Sequence, residues 1–169
     1  PHDIKGLTRL MGGKRGFINS LQGVFDNGHY DPANEPDIVY PYLFSRVKGE
    51  EWRTQKEVKN ILDTHYRNTP DGIPGNDDTG TMSAWAVFSM IGFYPDCPGE
   101  PYYTITTPVF DKVSITTPQS RINIECNRPA EDCHYIDEIT VNGEEGEYRI
   151  THATLLDNAN IELTLKREP

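Results

Sequence analysis

Hydrophobic positions change period partway along the chain, and the change divides it near residue 98. Before that point they fall at helical spacing; after it they alternate. Phe17, Ile18, Leu21, Val24 and Phe25 repeat at i, i+1, i+4, i+7 and i+8, which marks one face of a helix. Gly12-Gly13 ahead of them ends a shorter helix carrying Ile4, Leu7, Leu10 and Met11. A third helix is expected to carry Tyr42, Leu43 and Val47 and to start between Pro36 and Pro41, because proline is tolerated in a first turn. Thr54 and Glu57 have the form of a capping box, after which Val58, Ile61, Leu62 and Tyr66 line one face of a fourth helix. The stretch holding Met82, Ala84, Trp85, Ala86, Val87, Phe88, Met90 and Ile91 is apolar all round, which predicts a helix buried on every side, the innermost of this half.

Beyond Cys97-Pro98-Gly99 the runs at Tyr103-Ile105, Val113-Ile115, Ile122-Ile124-Cys126, Ile139-Val141 and Ile161-Leu163-Leu165 alternate with period two. Asn142-Gly143 is a strong hairpin signal, and Thr151 can cap one turn of helix at Leu155-Leu156. The predicted fold class is therefore α+β: an all-α half over residues 1–97, then a small antiparallel β module over 98–169.

Charge and composition narrow the function. With 16 Lys and Arg against 26 Asp and Glu, the 169-residue chain carries a net charge of −10. That balance argues against nucleic acid or an anionic membrane surface as the main partner. No apolar run is long enough to span a bilayer. The opening Pro1-His2-Asp3, without an initiator Met, leads us to expect a fragment of a longer protein, so the lack of a visible signal peptide says little about location. Three cysteines, Cys97, Cys126 and Cys133, suit neither a zinc site nor a dense disulfide framework; Cys126 and Cys133 either bridge across a turn or remain buried thiols. The five histidines are scattered, without metal-ligand spacing.

Chemistry concentrates in two loops. The segment from Pro70 to Gly80 ends in Asn76-Asp77-Asp78 directly before the apolar helix. Carboxylates at a helix N-terminus stay ionised, which suits a general base or a metal ligand. On spacing alone, an N-cap is the commoner duty for Asp78. The second loop carries Asn34-Glu35-Pro36, whose amide and carboxylate oxygens suit Ca²⁺, although there is no EF-hand pattern. Trp52, Trp85 and the tyrosines at 30, 40, 42 and 94 could stack on sugar, with Trp85 the better candidate for core.

The run Gly75-Asn76-Asp77-Asp78-Thr79-Gly80-Thr81-Met82-Ser83-Ala84-Trp85, followed by Gly92-Phe93-Tyr94-Pro95 and Cys97-Pro98-Gly99, resembles the C-terminal signature of glycoside hydrolase family 92, the calcium-dependent exo-α-mannosidases. Met11-Gly12-Gly13, Gly28-His29-Tyr30, Asn34-Glu35-Pro36-Asp37, Pro70-Asp71-Gly72-Ile73-Pro74 and Pro108-Val109-Phe110-Asp111 agree in order. The resemblance implies that residues 1–97 are the last helices of an (α/α)6 catalytic toroid, and 98–169 its C-terminal β subdomain. It also implies inverting hydrolysis of terminal α-mannosides of glycans, including N-glycans. Asp78 is then the general base, with Asp77 second, and Asn76 a substrate-binding neighbour. Glu35 becomes a calcium or sugar-subsite residue, with Asn34 beside it. The general acid, a Glu, lies upstream of Pro1, so the chain alone is expected to be inactive.

The partners implied are a mannose-containing glycan and the rest of the same polypeptide, with secretion or periplasmic export of the parent. Self-association through helix surfaces left uncovered is also expected. Pro32-Ala33 before the Asn-Glu-Pro motif and Ile38-Val39 after it depart from the family pattern, so the resemblance implies no particular linkage preference. The rival reading is a carbohydrate-binding or structural module without catalysis. Calcium-dependent mannose binding without hydrolysis distinguishes it.

Overall fold

The computed structural model describes residues 2–169, so Pro1 of the opening motif lies outside the described residues. Helix α1 (Ile4–Leu10) is capped by Asp3, whose carboxylate accepts a hydrogen bond of 2.7 Å from the Gly6 N–H. Gly12 and Gly13 both take positive φ, which glycine allows without a Cβ clash, and turn the chain into α2 (Lys14–Asp26). Phe17, Ile18 and Leu21 are buried on α2, the face that the periodicity marks.

The expected third helix is broken. A 3₁₀ turn (Glu35–Asp37), α3 (Tyr40–Leu43) and a second 3₁₀ turn (Phe44–Arg46) follow one another. Pro36 and Pro41 each stand at the start of a turn, lack an N–H and disfavour helical backbone in the preceding residue.

Helix α4 (Glu51–His65) starts three residues before the expected cap. Thr54 and Glu57 are therefore not a capping box. Both lie buried within the helix, where the Thr54 hydroxyl accepts from the Ser45 backbone N–H at 3.2 Å and bonds the Ser45 hydroxyl at 2.8 Å. Helix α5 (Thr81–Ile91) buries Met82, Trp85, Ala86 and Ser89, but Val87 is 54% exposed and Ala84 also faces outward. The expectation of burial on every side is corrected: among the described residues nothing packs on that face.

Beyond α5 the chain forms β1 (Phe93–Tyr94), β2 (Tyr102–Ile105), β3 (Lys112–Thr116), β4 (Arg121–Asn127), β5 (Tyr135–Val141), β6 (Glu144–Glu145), β7 (Arg149–Thr151), α6 (His152–Leu156) and β8 (Asn160–Lys166). A three-stranded sheet has the order β1-β2-β7, and a five-stranded sheet the order β3-β4-β8-β5-β6. Every pairing is antiparallel except β4 with β8, which run parallel after the long excursion through β5, β6, β7 and α6. Asn142 and Gly143 both have positive φ, as the tight turn between β5 and β6 requires. The Thr151 hydroxyl caps α6 by accepting from the Thr154 N–H.

Ile122, Ile124, Ile136, Ile139, Ile161, Leu163 and Leu165 fill the β core, and Phe88 and Ile91 of α5 pack against it. All three cysteines are free thiols and buried, so Cys126 and Cys133 do not bridge. No helix among the described residues is long and apolar enough to cross a membrane.

Candidate functional site

Three helices end or begin around the two loops singled out by the sequence. The Trp85 indole of α5 donates to the Ile38 carbonyl at 2.8 Å, anchoring the chain just after Glu35. Tyr66, at the C-terminal end of α4, stacks on Trp85 with ring centroids 5.5 Å apart. At Gly75 a Cβ would come within 2.7 Å of the Ala33 Cβ, so the loop bearing Asn76-Asp77-Asp78 lies directly against the loop bearing Asn34-Glu35. The two segments, some 40 residues apart in sequence, thus form one surface.

Within it the adjacent aspartates diverge. Asp77 holds the start of α5: its Oδ1 accepts from the Ser83 backbone N–H at 2.8 Å and its Oδ2 from the Ser83 hydroxyl. The Ser83 hydroxyl first, and then its N–H, keep the Asp77 carboxyl below the usual carboxylate range. Asp78 opens a 3₁₀ turn (Asp78–Gly80) and is exposed. Its backbone carbonyl accepts from the Thr79 and Thr81 hydroxyls, but its carboxylate has no hydrogen-bond partner among the described residues. The capping duty weighed for Asp78 is therefore performed by Asp77. Thr79 has φ 53°, an uncommon left-handed conformation for a β-branched residue, and Gly80 follows at φ 81°.

Asn34 and Glu35 are both exposed, at the start of the first 3₁₀ turn. Asp37, in the same turn, is buried and accepts from the Asp31 backbone N–H at 3.2 Å, closing the loop on itself. Asn76 is exposed beside Asp77. Under the loops lies an aromatic floor. Tyr42 stacks on Tyr94, with centroids 4.6 Å apart, and Phe25 on Tyr30. Burial pushes the Tyr66 phenol up to about 12, with Tyr94 and Asp77 adding to the shift. Burial likewise holds Tyr30 well above its ordinary value, aided by Tyr66 and Asp37. These phenols stay protonated at neutral pH and can donate hydrogen bonds.

Ser83, Asp37 and Tyr66 escaped the sequence reading as site residues. For Ser83 the signal was available: a hydroxyl at the third position of a helix, six residues after an aspartate. Trp85 is core, at 1% exposure. As for a metal, the Glu35 carboxylate and the Asn34 amide are hard oxygen donors of the type Ca²⁺ takes. Among the described residues, however, no three His, Cys, Asp or Glu side chains gather as a ligand cluster. The donor chemistry fits calcium; the number of protein ligands falls short of the six to eight oxygens it requires.

Comparison with known proteins places this surface in context. The family described as the glycosyl hydrolase family 92 catalytic domain matches residues 1–167. A protein of Arthroderma benhamiae named "Uncharacterized secreted glycosidase" is 32% identical over 174 residues, covering 99% of this chain and 22% of that protein. The structure of a family GH92 alpha-mannosidase from Bacteroides thetaiotaomicron superposes with TM-score 0.86 at 32% identity, over 93% of this chain and 22% of that one. A family GH92 inverting mannosidase from the same organism gives TM-score 0.86 at 31% identity, over 98% of this chain and 26% of that one. The chain thus spans about a quarter or less of these relatives' length, and over that span the family match, the sequence identity and the fold agree: it belongs to glycosyl hydrolase family 92.

Proposed function

We propose that this chain is the base-bearing part of an inverting exo-α-mannosidase that removes terminal α-mannose from glycans, with Asp78 as the general base. The observation that carries the proposal is the division of labour between the aspartates. Because Asp77 caps α5, the Asp78 carboxylate is exposed and unpartnered on the surface shared with Asn34 and Glu35. In an inverting reaction such a carboxylate takes a proton from water as the water attacks the anomeric carbon opposite the departing oxygen. An acid roughly 6.5–9.5 Å away protonates that oxygen. We assign the acid to the remainder of the protein.

Glu35 and Asn34 would hold Ca²⁺ together with further ligands from outside this chain, and Asn76 would bind the sugar. Bound there, the ion would supply charge to orient the sugar hydroxyls and ease ring distortion. The residues' own task is to fix the sugar over Asp78, and the protonated phenol of Tyr30 would supply a donor beneath it. Export of the parent protein accords with the secreted glycosidase of Arthroderma benhamiae.

In the full-length protein, Asp78→Asn is expected to lower hydrolysis of an aryl α-mannoside by roughly 10²–10⁴-fold, the usual contribution of a general base. Proton NMR of the wild-type reaction should show β-mannose as the first product. Undiminished turnover in Asp78→Asn, together with loss in Asp77→Asn, moves the base to Asp77. Chelation of calcium should raise KM, and added Ca²⁺ should restore it. Insensitivity to chelation removes the metal from the site.

A further inference from the structure

In a chain with net charge −10, one hollow runs against the overall sign. A cavity of about 750 Å³ opens between α1, the start of α2, the turn ahead of α4 and β7. Five of the chain's 16 Lys and Arg residues line it, namely Lys5, Arg9, Lys14, Arg46 and Arg149, against two of its 26 acids, Asp3 and Glu100. Both acids are already engaged. Asp3 caps α1, and Glu100 accepts from Arg46 Nη1 at 3.2 Å and from Arg149 Nη2 at 2.7 Å. Arg149 first, then Arg46, hold the Glu100 carboxyl below its ordinary range.

Behind the hollow the buried Asp96 carboxylate also accepts from Arg46 Nε at 2.7 Å, so Asp96 and Glu100 balance the two guanidiniums, and the positive charge that remains is that of Lys5, Arg9 and Lys14. Arg46 Nη2 and Arg149 Nε are buried without an acceptor, and the Arg46 side chain is only 10% exposed. Lys5, Arg9 and Lys14 make no ion pair among the described residues. A lone surface cation is content in water, but two guanidinium N–H groups without acceptors, on a wall shared with three unpaired cations, are an arrangement that oxyanions satisfy.

We propose that this hollow binds a small multivalent oxyanion of the phosphate or sulfate class. Glu100 shows the geometry at work, since one carboxylate already bridges Arg46 and Arg149 at its inner end. The outer end, rimmed by Lys5, Arg9 and Lys14, is where the ligand adds its charge. The site is separate from the proposed sugar surface. Ser45, on its wall, meets Thr54 near the start of α4, whereas Tyr66 reaches Met82 beyond the other end of that helix. Twelve helical residues at 1.5 Å each put roughly 18 Å between the two places.

Isothermal titration of the full-length protein with inorganic phosphate, at constant ionic strength, tests the assignment. Saturable binding is expected, with sulfate competing and chloride not. The double variant Arg9→Ala/Lys14→Ala should weaken binding about tenfold or more, as expected for lost bonds to charged groups. Both side chains are on exposed helix positions, so the melting temperature and α-mannoside hydrolysis should stay at wild-type values. Absence of a saturable heat, or equal affinity in the double variant, overturns the proposal whatever the outcome for Asp78.

Discussion

Asp77 and Asp78 are neighbours in sequence, yet Thr79 at φ 53° and Gly80 at φ 81° turn the chain so sharply that only Asp77 reaches back to Ser83. Two hydrogen bonds favour its charged form, so its carboxyl loses its proton more readily than an ordinary aspartate. The linkage has a definite sign. A carboxyl depressed in the folded state stabilises the fold above the unfolded value of about 3.9, and that contribution fades as pH falls through the folded value. Removing the hydroxyl takes away the first-ranked cause. In Ser83→Ala the Asp77 carboxyl should therefore titrate higher, back toward the ordinary aspartate range, as followed by carbon NMR of the side-chain carboxyl. Acid unfolding should begin at a higher pH than in the wild type. An unmoved Asp77 titration would show that the backbone N–H alone sets its charge.

At the level of elements, the junction of helix and sheet depends on a defect in a strand. The β5–β8 register shifts between Ile136 and Glu138, and the Ile136 N–H donates to Gln55 Oε1 of α4 at 2.8 Å instead. Gln55 is 2% exposed. Gln55→Ala leaves that N–H buried and unpaired, so a loss of about 1–3 kcal/mol is expected in urea unfolding, with an unchanged denaturant slope. A loss near zero would mean that water replaces the amide.

None of this is visible in a periodicity. Gln55 reads as an ordinary polar helix position, and its partner lies 81 residues away. What was legible was local: the faces of α2 and α4, the alternation of β4 and β8, the Asn142-Gly143 turn, and an acidic pair ahead of α5. What was not legible was set by distant contacts or by single backbone angles. Thr54 and Glu57 carried the capping pattern but were drawn into the core against Ser45 and Gln22, three and six residues inside the helix. The left-handed Thr79, which decides which aspartate caps, leaves no mark in residue type. Nor does the close approach of Gly75 to Ala33 that lays the two loops against each other.

Across the whole molecule, the division near residue 98 is proposed here as a change of architecture and not as a boundary between independent folding units. Several buried contacts cross it or lie just beside it. Arg46 Nε donates to Asp96 Oδ2 at 2.7 Å, with the Asp96 side chain fully buried, and the same guanidinium reaches Glu100, which Arg149 of β7 also holds. Phe88 of α5 packs edge-on against Phe93 of β1, while Tyr42 shares a hydrogen bond of 2.7 Å with Ser89. Trp52 of α4 meets Tyr135 of β5 at 6.4 Å between ring centroids, so its fluorescence reports the junction itself.

A buried pair of this kind adds little over an apolar contact, but removing one partner strands the other charge. Asp96→Ala leaves the Arg46 cation sheltered with only Glu100 to balance it, and a loss of about 3–5 kcal/mol is expected. Because the junction ties both halves, the tryptophan signal and the far-UV circular dichroism should fall together, at a lower temperature than in the wild type. If circular dichroism keeps a late phase after the tryptophan transition is complete, the β module holds its structure alone, and residue 98 is a folding boundary after all. Asp96→Asn keeps an acceptor at the same place, so its melting point should lie between those of the wild type and Asp96→Ala. An Asn variant as unstable as Ala would assign the stabilisation to charge and not to the hydrogen bond.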